Sequence, residues 1–459
     1  MQKTKTMKIC GILLALIVIA AIVTTLTLTA SAEKAGDLTV TIDTGSSVTL
    51  KDSDGDGYYD IGTADQLYAF AAAVNGGNLE INGELISDIT VNTADLSELG
   101  TEKITTLRAW IPIGQYIDYT DTEWAGEFDG NEYTISGIYC YGNADGRLSS
   151  VGLFGYIAEG GAVRNVNLEN SYFFGGENVG SIAYVTYGTI ENCHSDATVY
   201  GDYSVGGIAS MLYDAGIVTN CSFTGKIKEA GVKSHQSEVG GIAGYNSGEI
   251  SYSYFDGSFE SPVWKYVGGI SGGIGSGGVI RYCYNVGGIT GDLSNMDNGY
   301  GGILGSCAST AIIESCFSTW RYTSDSRYHG GILGWGGSSA SIINCVYLKD
   351  AIIAGGNVQG PRGTSDNVPT SDEVNKYVGV TDFSTGEVTY LLNGRVTDGT
   401  QGFFQSVGIG MPSFEGPTVY LVGECSDIEN VKYTNVSGTI THVFEVENYN
   451  GNGICPCGA

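Results

Sequence analysis

Basic residues, histidine and proline are all scarce in this chain. Its 459 residues hold 21 Lys plus Arg against 50 Asp plus Glu, with 4 His and 7 Pro. So little positive charge excludes nucleic acid and anionic membrane surfaces as natural partners, because both are held through basic patches. The zinc signature H-E-x-x-H is absent, and His194, His235, His329 and His442 are scattered, with no second histidine at ligand spacing. A metallopeptidase centre therefore has no visible ligand set. Charge density is low, at 15%, yet 42% of residues are hydrophobic, so the composition is not that of a disordered chain.

What is present begins with a leader. Lys3, Lys5 and Lys8 precede an uncharged apolar run over residues 9–23, and Ala30-Ser-Ala32 offers a small-x-small cleavage site. Residues 1–32 read as a secretory signal peptide. An uncleaved membrane anchor is the alternative, since no charge occurs over residues 9–32. Cys10 precedes the run and is not placed as a lipoprotein anchor. Without the three leader lysines, 18 basic residues face 50 acidic ones, a net charge near −32 that favours extracellular solubility and attracts divalent cations.

The body of the chain is repetitive. Val239-Gly-Gly-Ile-Ala-Gly-Tyr245 returns as Val151-Gly-Leu-Phe-Gly155, Val179-Gly-Ser-Ile182, Val205-Gly-Gly-Ile208, Val267-Gly-Gly-Ile270, Tyr300-Gly-Gly-Ile303 and His329-Gly-Gly-Ile332. Successive steps are 28, 26, 34, 28, 33 and 29 residues, the spacing of a repeat architecture. About ten residues later comes a second phrase: Ile190-Glu-Asn-Cys193, Val218-Thr-Asn-Cys221, Ile280-Arg-Tyr-Cys283, Ile313-Glu-Ser-Cys316 and Ile342-Ile-Asn-Cys345. Val163-Arg-Asn-Val166 and Ile250-Ser-Tyr-Ser253 fill the same slot. Two strand-like phrases per unit, with Gly-rich corners and no helical period, predict one coil of a parallel β-solenoid per repeat. His329 reads as a positional variant of the Val that opens other repeats.

In Ile190-Glu-Asn-Cys193 the apolar residues are three apart, which strand alternation would place on opposite faces. A corner at Asn192 restores both to the inside, because Asn tolerates left-handed backbone angles. Stacked Asn165, Asn192 and Asn220 amides on successive coils are then able to bond to one another, and the glycines serve tight corners or close backbone approach. Five of the ten cysteines outside the leader share one repeat position. Coil stacking at about 4.8 Å exceeds the roughly 3.8 Å Cβ separation that a disulfide prefers. They read as a ladder of buried, reduced thiols, suited to an anaerobic habitat.

Residues 33–84 precede the coils. Leu38-Thr-Val-Thr-Ile42 and Ser47-Val-Thr-Leu50 alternate as strands, and Thr63-Ala-Asp-Gln66 is a capping box opening a helix through Val74 that covers the solenoid's first coil. Between them, Asp52-Ser-Asp54-Gly-Asp56-Gly57-Tyr58-Tyr-Asp60 offers oxygens from Asp52, Asp54, Asp56, the Tyr58 carbonyl and Asp60 to a hard cation, with Gly57 permitting the turn. The loop resembles the DxDxDGxxD loops of thrombospondin-type and dockerin-like calcium repeats, although Thr63 stands where an EF-hand has Glu. Structural calcium is expected; the alternative is an acidic surface turn.

Coils are expected over 85–355, with a loop or linker at 355–372, a small C-terminal capping module at 356–423, and a Cys-containing tail at 424–459. Capping boxes Thr370-Ser-Asp-Glu373 and Ser384-Thr-Gly-Glu387 fall in the module, the second opening a short helix from Val388 to Asn393. Cys425, His442, Cys455 and Cys457 include zinc-ligand types, but the one-residue gap of the last pair is unlike C-x-x-C. Zinc is not expected there; a disulfide from Cys425 or free thiols are the alternatives.

The Gly-Leu-Phe-Gly155 and Val-Gly-Gly-Ile-Ala-Gly repeats, with Trp110-Ile-Pro-Ile-Gly114 and Phe128-Asp-Gly-Asn131, resemble the GLUG motif of bacterial surface proteins. The resemblance spans roughly residues 60–355. Gly386-Glu-Val-Thr-Tyr-Leu-Leu-Asn-Gly394 is similar to a segment that often follows such repeats, with Phe403 or Phe404 where Trp is expected. The resemblance implies an all-β, right-handed parallel β-helix, secreted or at the cell surface of a bacterium. It is often adhesin-like, and some members are parts of immunoglobulin A peptidases.

Function is less legible. No catalytic residues are assigned. Asp129 is the most tempting carboxylate for glycan cleavage, yet Phe128-Asp-Gly-Asn131 reads equally as a turn. Tyr156, Tyr245 and Trp335 occupy matching slots that Met211, Gly273 and Ser306 fill in other repeats, and exposed aromatics there would stack on sugars or proteins; the alternative is corner packing and edge shielding. The expectation is a non-catalytic, adhesin-like protein whose extended face binds an extracellular glycan or protein. A secreted carbohydrate-active enzyme and a structural stalk or envelope spacer are the alternatives.

Overall fold

The computed structural model describes residues 34–445 apart from 118–119, 143–150, 232–236, 261–263, 291–297, 359–376, 394–401, 406–409, 415–418, 423–431 and some shorter gaps. The leader, Thr370-Ser-Asp-Glu373, Cys425, Cys455, Cys457 and most of the expected linker lie outside the described residues.

The coils form a parallel β-solenoid with five hydrogen-bonded ladders. A glycine ladder of six strands runs from Val179–Gly180 to Tyr328–Gly330, and a second ladder of seven from Phe154–Ile157 to Leu333–Gly336. The third and fourth have ten strands each, from Tyr58–Ile61 to Ala340–Ile343 and from Ile89–Thr90 to Tyr377–Val380. A fifth, of six strands, runs from Tyr139–Tyr141 to Gly288–Thr290. The coils from Val179 to Thr290 visit all five in that order. The repeat steps align in register, so Val205, Val239, Val267, Tyr300 and His329 form one buried column.

The first glycine of Val-Gly-Gly-Ile answers to space. A Cβ on Gly180, Gly206, Gly240, Gly268 or Gly301 would stand 1.9–2.2 Å from the carbonyl oxygen three residues on, across the turn into the second ladder. None of the five has positive φ, so the requirement is close backbone approach. The second glycine makes room across the core. Cβ atoms on Gly207 and Gly241 would fall 2.3 and 2.4 Å from the Phe223 and Phe255 rings.

The Asn slot is the corner between the third and fourth ladders. Asn165, Asn192, Asn220 and Asn344 have φ of 51–55°, and Tyr252, Tyr282 and Ser315 adopt the same region at 47–52°. Asn220 Nδ2 donates to Asn192 Oδ1 at 2.9 Å, Asn192 Nδ2 to Asn165 Oδ1 at 2.8 Å, and Asn165 Nδ2 to the Asp129 carboxylate at 2.9 Å. The amide ladder thus ends on a charge.

One residue on, Cys193, Cys221, Cys283, Cys316 and Cys345 point inward as free, buried thiols. Each sulfur lies 3.1–3.3 Å from the carbonyl oxygen two residues back. Ser253 bonds its own such carbonyl at 2.8 Å, which explains why serine fills the slot. Burial raises the thiol pKa values of Cys221, Cys316 and Cys345, and Cys140, elsewhere in the core, is pushed up to about 12. With no accessible thiolate these cysteines are expected to be inert. Iodoacetamide mapping by mass spectrometry is predicted to label the core thiols at least about 100-fold more slowly in the native protein than in denaturant. Equal rates would show that the coils open readily.

The open N-terminal end is closed as the capping box implies. The hairpin β1 (Leu38–Thr41) and β2 (Ser47–Leu50) is antiparallel, and β3 (Tyr58–Ile61) starts the third ladder. Helix α1 (Ala64–Asn75) has Thr63 as its N-cap, accepting from Gln66 N, and buries Leu67, Phe70, Ala71 and Val74. Phe70 packs on Trp124 and Phe128, so the lead-in residues of the resemblance form the first core layers. The Arg108 guanidinium lies 3.7 Å over the Tyr68 ring while pairing with Asp43 and Asp65, tying the hairpin to the helix.

Two outer faces carry aromatic stripes, and the chain roofs both. On the fifth ladder, Tyr139 and Tyr172 stack at 5.4 Å and Tyr141 and Phe174 at 4.6 Å. Residues 92–107 cover them: the hydroxyls of Tyr172, Tyr200 and Tyr141 donate to the carbonyls of Gly100, Leu99 and Thr101 at 2.7–2.9 Å. On the fourth ladder, Tyr254, Tyr284 and Phe317 stack at 4.8–4.9 Å. Phe383, Phe403 and Phe414 and α2 (Gly386–Leu392) pack on that stripe or on its neighbours. The C-terminal module therefore caps the end, through Tyr377–Val380, and also reaches back along the side. Tyr252 and Tyr282 interrupt the amide ladder where Phe414 and Phe403 land. The boundary expected at 423 is not structural: Val419–Val422 pairs with Thr439–Glu445, which pairs with Lys432–Val436.

Candidate cation loop and binding surfaces

Of the four carboxylates proposed for the cation, three converge. Carboxylate oxygens of Asp52, Asp54 and Asp56 lie within 4.8 Å of one another, Asp52 buried and the other two exposed. Gly55 and Gly57 supply the left-handed angles, at φ 86° and 92°. Asp52 accepts backbone N–H bonds from Ala35, Gly55 and Gly57 at 2.5–3.0 Å, which fixes its orientation. Asp60 stands apart from the trio, taking the Ser53 N–H at 3.0 Å. Tyr58, whose carbonyl is the expected ligand, donates its side-chain hydroxyl to Glu127 Oε2 at 2.6 Å. No other group of three or more potential metal ligands gathers among the described residues. His194 and His329 are separate, as their spacing implied.

Sequence spacing hid a further acid. Register places Glu84 beside Asp60 on one coil and beside Asp129 on the next, a row of three carboxylates on the third ladder. Burial raises the Glu84 pKa, and the Asp56, Asp54 and Asp60 charges add to it. Glu84 lies 24 residues from Asp60 in sequence, and only the coil period relates them. Asp129 is occupied: its Oδ1 takes the Asn131 N–H at 2.8 Å as well as the Asn165 amide. With Asn131 and Glu132 at φ 48° and 63°, the segment is the turn that its sequence allowed.

Tyr156, Tyr245 and Trp335 do occupy one column of the second ladder, reading Tyr156, Val185, Met211, Tyr245, Gly273, Ser306, Trp335. The structure joins the first two through residues that the spacing missed. Tyr187 stacks on Tyr156 at 5.6 Å, Tyr213 on Tyr187 at 5.0 Å, and Tyr245 lies tilted 6.2 Å beyond. Tyr187 and Tyr213 directly follow strands of this ladder, a signal visible only once those strand ends are known. Trp335 sits apart, against Tyr266 at 5.7 Å. Rings stacked at 18–20° turn their faces to each other, and the Tyr213 hydroxyl donates to Met211 Sδ at 3.2 Å. This column is therefore a half-exposed tyrosine ridge in which Tyr156, Tyr187 and Tyr213 cover one another's inner ring faces.

No protein-family profile matches the chain. Halomucin from Haloquadratum walsbyi is 32% identical over 103 residues, which is 22% of this chain and 1% of that protein, so the chain matches only a small fraction of its relative. A Bacteroides ovatus protein provisionally assigned as an immunoglobulin A1 protease superposes with a TM-score of 0.46 at 19% identity, over 78% of this chain and 92% of that one. A second structure, an IgA1 protease, gives 0.42 at 15% identity, over 73% of this chain and 23% of that one.

Proposed function

We propose that this chain is a non-catalytic, exported solenoid of a bacterial surface that holds an extracellular glycan or protein along its side, as adhesins do. One observation carries the reading: the division of the outer surface. The chain's own segments roof the aromatic stripes of the fourth and fifth ladders, whereas the four-tyrosine ridge beside the second ladder is left half-exposed. The leader supports export, and the deficit of basic residues argues against nucleic-acid or membrane partners. A cation, calcium by the hardness of its oxygen ligands, is assigned to Asp52, Asp54 and Asp56, where it holds the hairpin against the first coil. The row Asp60, Glu84 and Asp129 favours the competing reading, a glycan-cleaving enzyme.

The test is a glycan, mucin and protein array run beside reducing-sugar and unsaturated-product assays. Binding without turnover is expected; turnover lost in both Glu84→Gln and Asp129→Ala would replace this reading with the enzymatic one. Chelation is expected to lower Tm in the parent but not in Asp54→Ala/Asp56→Ala, since a cation at 100 Kd adds about 2.7 kcal/mol. Identical melts with and without calcium would leave the loop a plain turn.

A further inference from the structure

The corner that carries the amide ladder also carries a cleft. It encloses about 300 Å³ and is lined by Glu132, Asn165, Asn167, Asn192 and His194. That volume sits at the lower end of the range for small-molecule sites. Each lining side chain carries a polar group, and polar atoms make up most of the cleft's surface.

The lining groups are held in place by bonds that leave part of each free. Asn165 and Asn192 each spend one amide N–H on the coil before and one lone pair on the coil after. Each amide keeps a second N–H and a second acceptor site. Asn167 donates to the Glu132 carbonyl at 2.6 Å, which fixes the cleft's rim. His194, on the cleft lining, pairs Nδ1 with Ser222 Oγ at 2.7 Å, which leaves Nε2 as the ring's other hydrogen-bonding atom. Because the coils repeat at about 4.8 Å, donors and acceptors alternate along the axis at a spacing suited to equatorial hydroxyls on alternate ring carbons. The backbone corner is rigid, so little ordering is required on binding.

Charge selects among hydroxyl-rich ligands. Glu132 lines the cleft and Asp129 ends its ladder, while no Lys or Arg lines it. Burial lowers the His194 pKa, so the ring is neutral at neutral pH and offers no counter-charge. An acidic sugar would meet repulsion with no cation to offset it. No aliphatic or aromatic hydrocarbon side chain lines it to receive an apolar peptide residue.

We infer that this cleft is a subsite for an uncharged saccharide, recognised through the ladder amides of Asn165 and Asn192, Asn167 and the His194 imidazole. The inference rests on the reading of the protein as a binding scaffold, and it names a different surface from the tyrosine ridge. The probes are N-acetyllactosamine and its sialylated form, titrated into the full chain, with His194 ring signals followed by NMR and assigned through His194→Ala. Expected results are a saturable shift of those signals with the neutral sugar, at least about tenfold weaker binding of the sialylated one, and loss of binding in His194→Ala with partial rescue in His194→Gln. Tm of each variant separates lost contact from lost fold. Unmoved His194 signals at saturating neutral sugar, or stronger binding of the acidic form, overturn the inference. Glycan binding that survives His194→Ala but not Tyr187→Ala would overturn the inference and leave the scaffold reading standing. No glycan or protein bound by any surface would remove both.

Discussion

Gly206→Ala is expected to destabilise the solenoid by at least about 3 kcal/mol, at the upper end of what overpacking costs. The added Cβ would lie 1.9 Å from the Ala209 carbonyl oxygen and 2.7 Å from that of Ile242. Both belong to backbone fixed by ladder bonds; Ile242 N, on that same segment, bonds the next coil at 3.0 Å. Neither oxygen can withdraw as a flexible side chain would. Gly288→Ala is the matched control: it lies in a strand, is exposed, and has nothing within 4 Å of its Cβ position. There the change should be neutral or slightly stabilising, by less than about 1 kcal/mol, because alanine restricts the unfolded chain. Chemical denaturation of the two variants beside the parent decides the matter. Similar stabilities for both would mean that the repeated glycine is a matter of propensity, not of clearance.

The repeat made the coil legible because each of its constraints acts within one turn. A left-handed corner at Asn192 follows from two inward residues three apart, and Tyr252, Tyr282 and Ser315 show that the backbone angle outlasts the residue type. The inward thiols followed from the same phase. What stayed hidden was which outer faces are covered. Residues 92–107 and 377–414 carry no period, and their contacts bridge long separations: the Tyr200 hydroxyl reaches the Leu99 carbonyl across 101 residues. Tyr252 and Tyr282 looked like lapses in an Asn column, and they are where the C-terminal module docks. The acidic loop was legible as a local cluster and illegible in its neighbours, since Glu84 comes beside Asp60 only through coil register. The aromatic slot was aligned correctly, yet ring orientation, which decides what the column can hold, depends on Tyr187 and Tyr213 outside that slot.

Stability is also expected to peak in mildly acidic solution, with a half-buried carboxyl and a buried imidazole setting opposite limbs. Glu238 lies in the glycine ladder between Ser204 and Tyr266. Its carboxyl occupies the notch left by Gly273, where a Cβ would come within 2.3 Å of it. Burial pushes its pKa up from 4.5 to about 7. The folded chain therefore binds more protons between those values, so this contribution is complete below 4.5 and lost as pH rises through 7. At most it amounts to about 3 kcal/mol, at roughly 1.4 kcal/mol per pH unit. His329 acts in the other direction. It is fully buried against Tyr300 and Tyr322, at 4.7 and 5.2 Å between rings, and burial lowers its pKa from 6.5 to about 3. Its neutral form supports the fold above 6.5, and that support is lost as pH falls towards 3. Between 4.5 and 6.5 the two slopes oppose each other, which places the maximum there. Glu238→Gln should flatten the alkaline limb and raise stability at pH 8 by about 2 kcal/mol relative to the parent. His329→Val, which restores the residue that opens most other repeats, should flatten the acid limb instead. Denaturation at pH 4, 5.5 and 8 tests each limb separately. The net negative charge of the chain also weakens it at high pH, so the deciding quantity is variant minus parent. An unchanged alkaline slope in Glu238→Gln would assign that limb to general charge repulsion and remove Glu238 from the account.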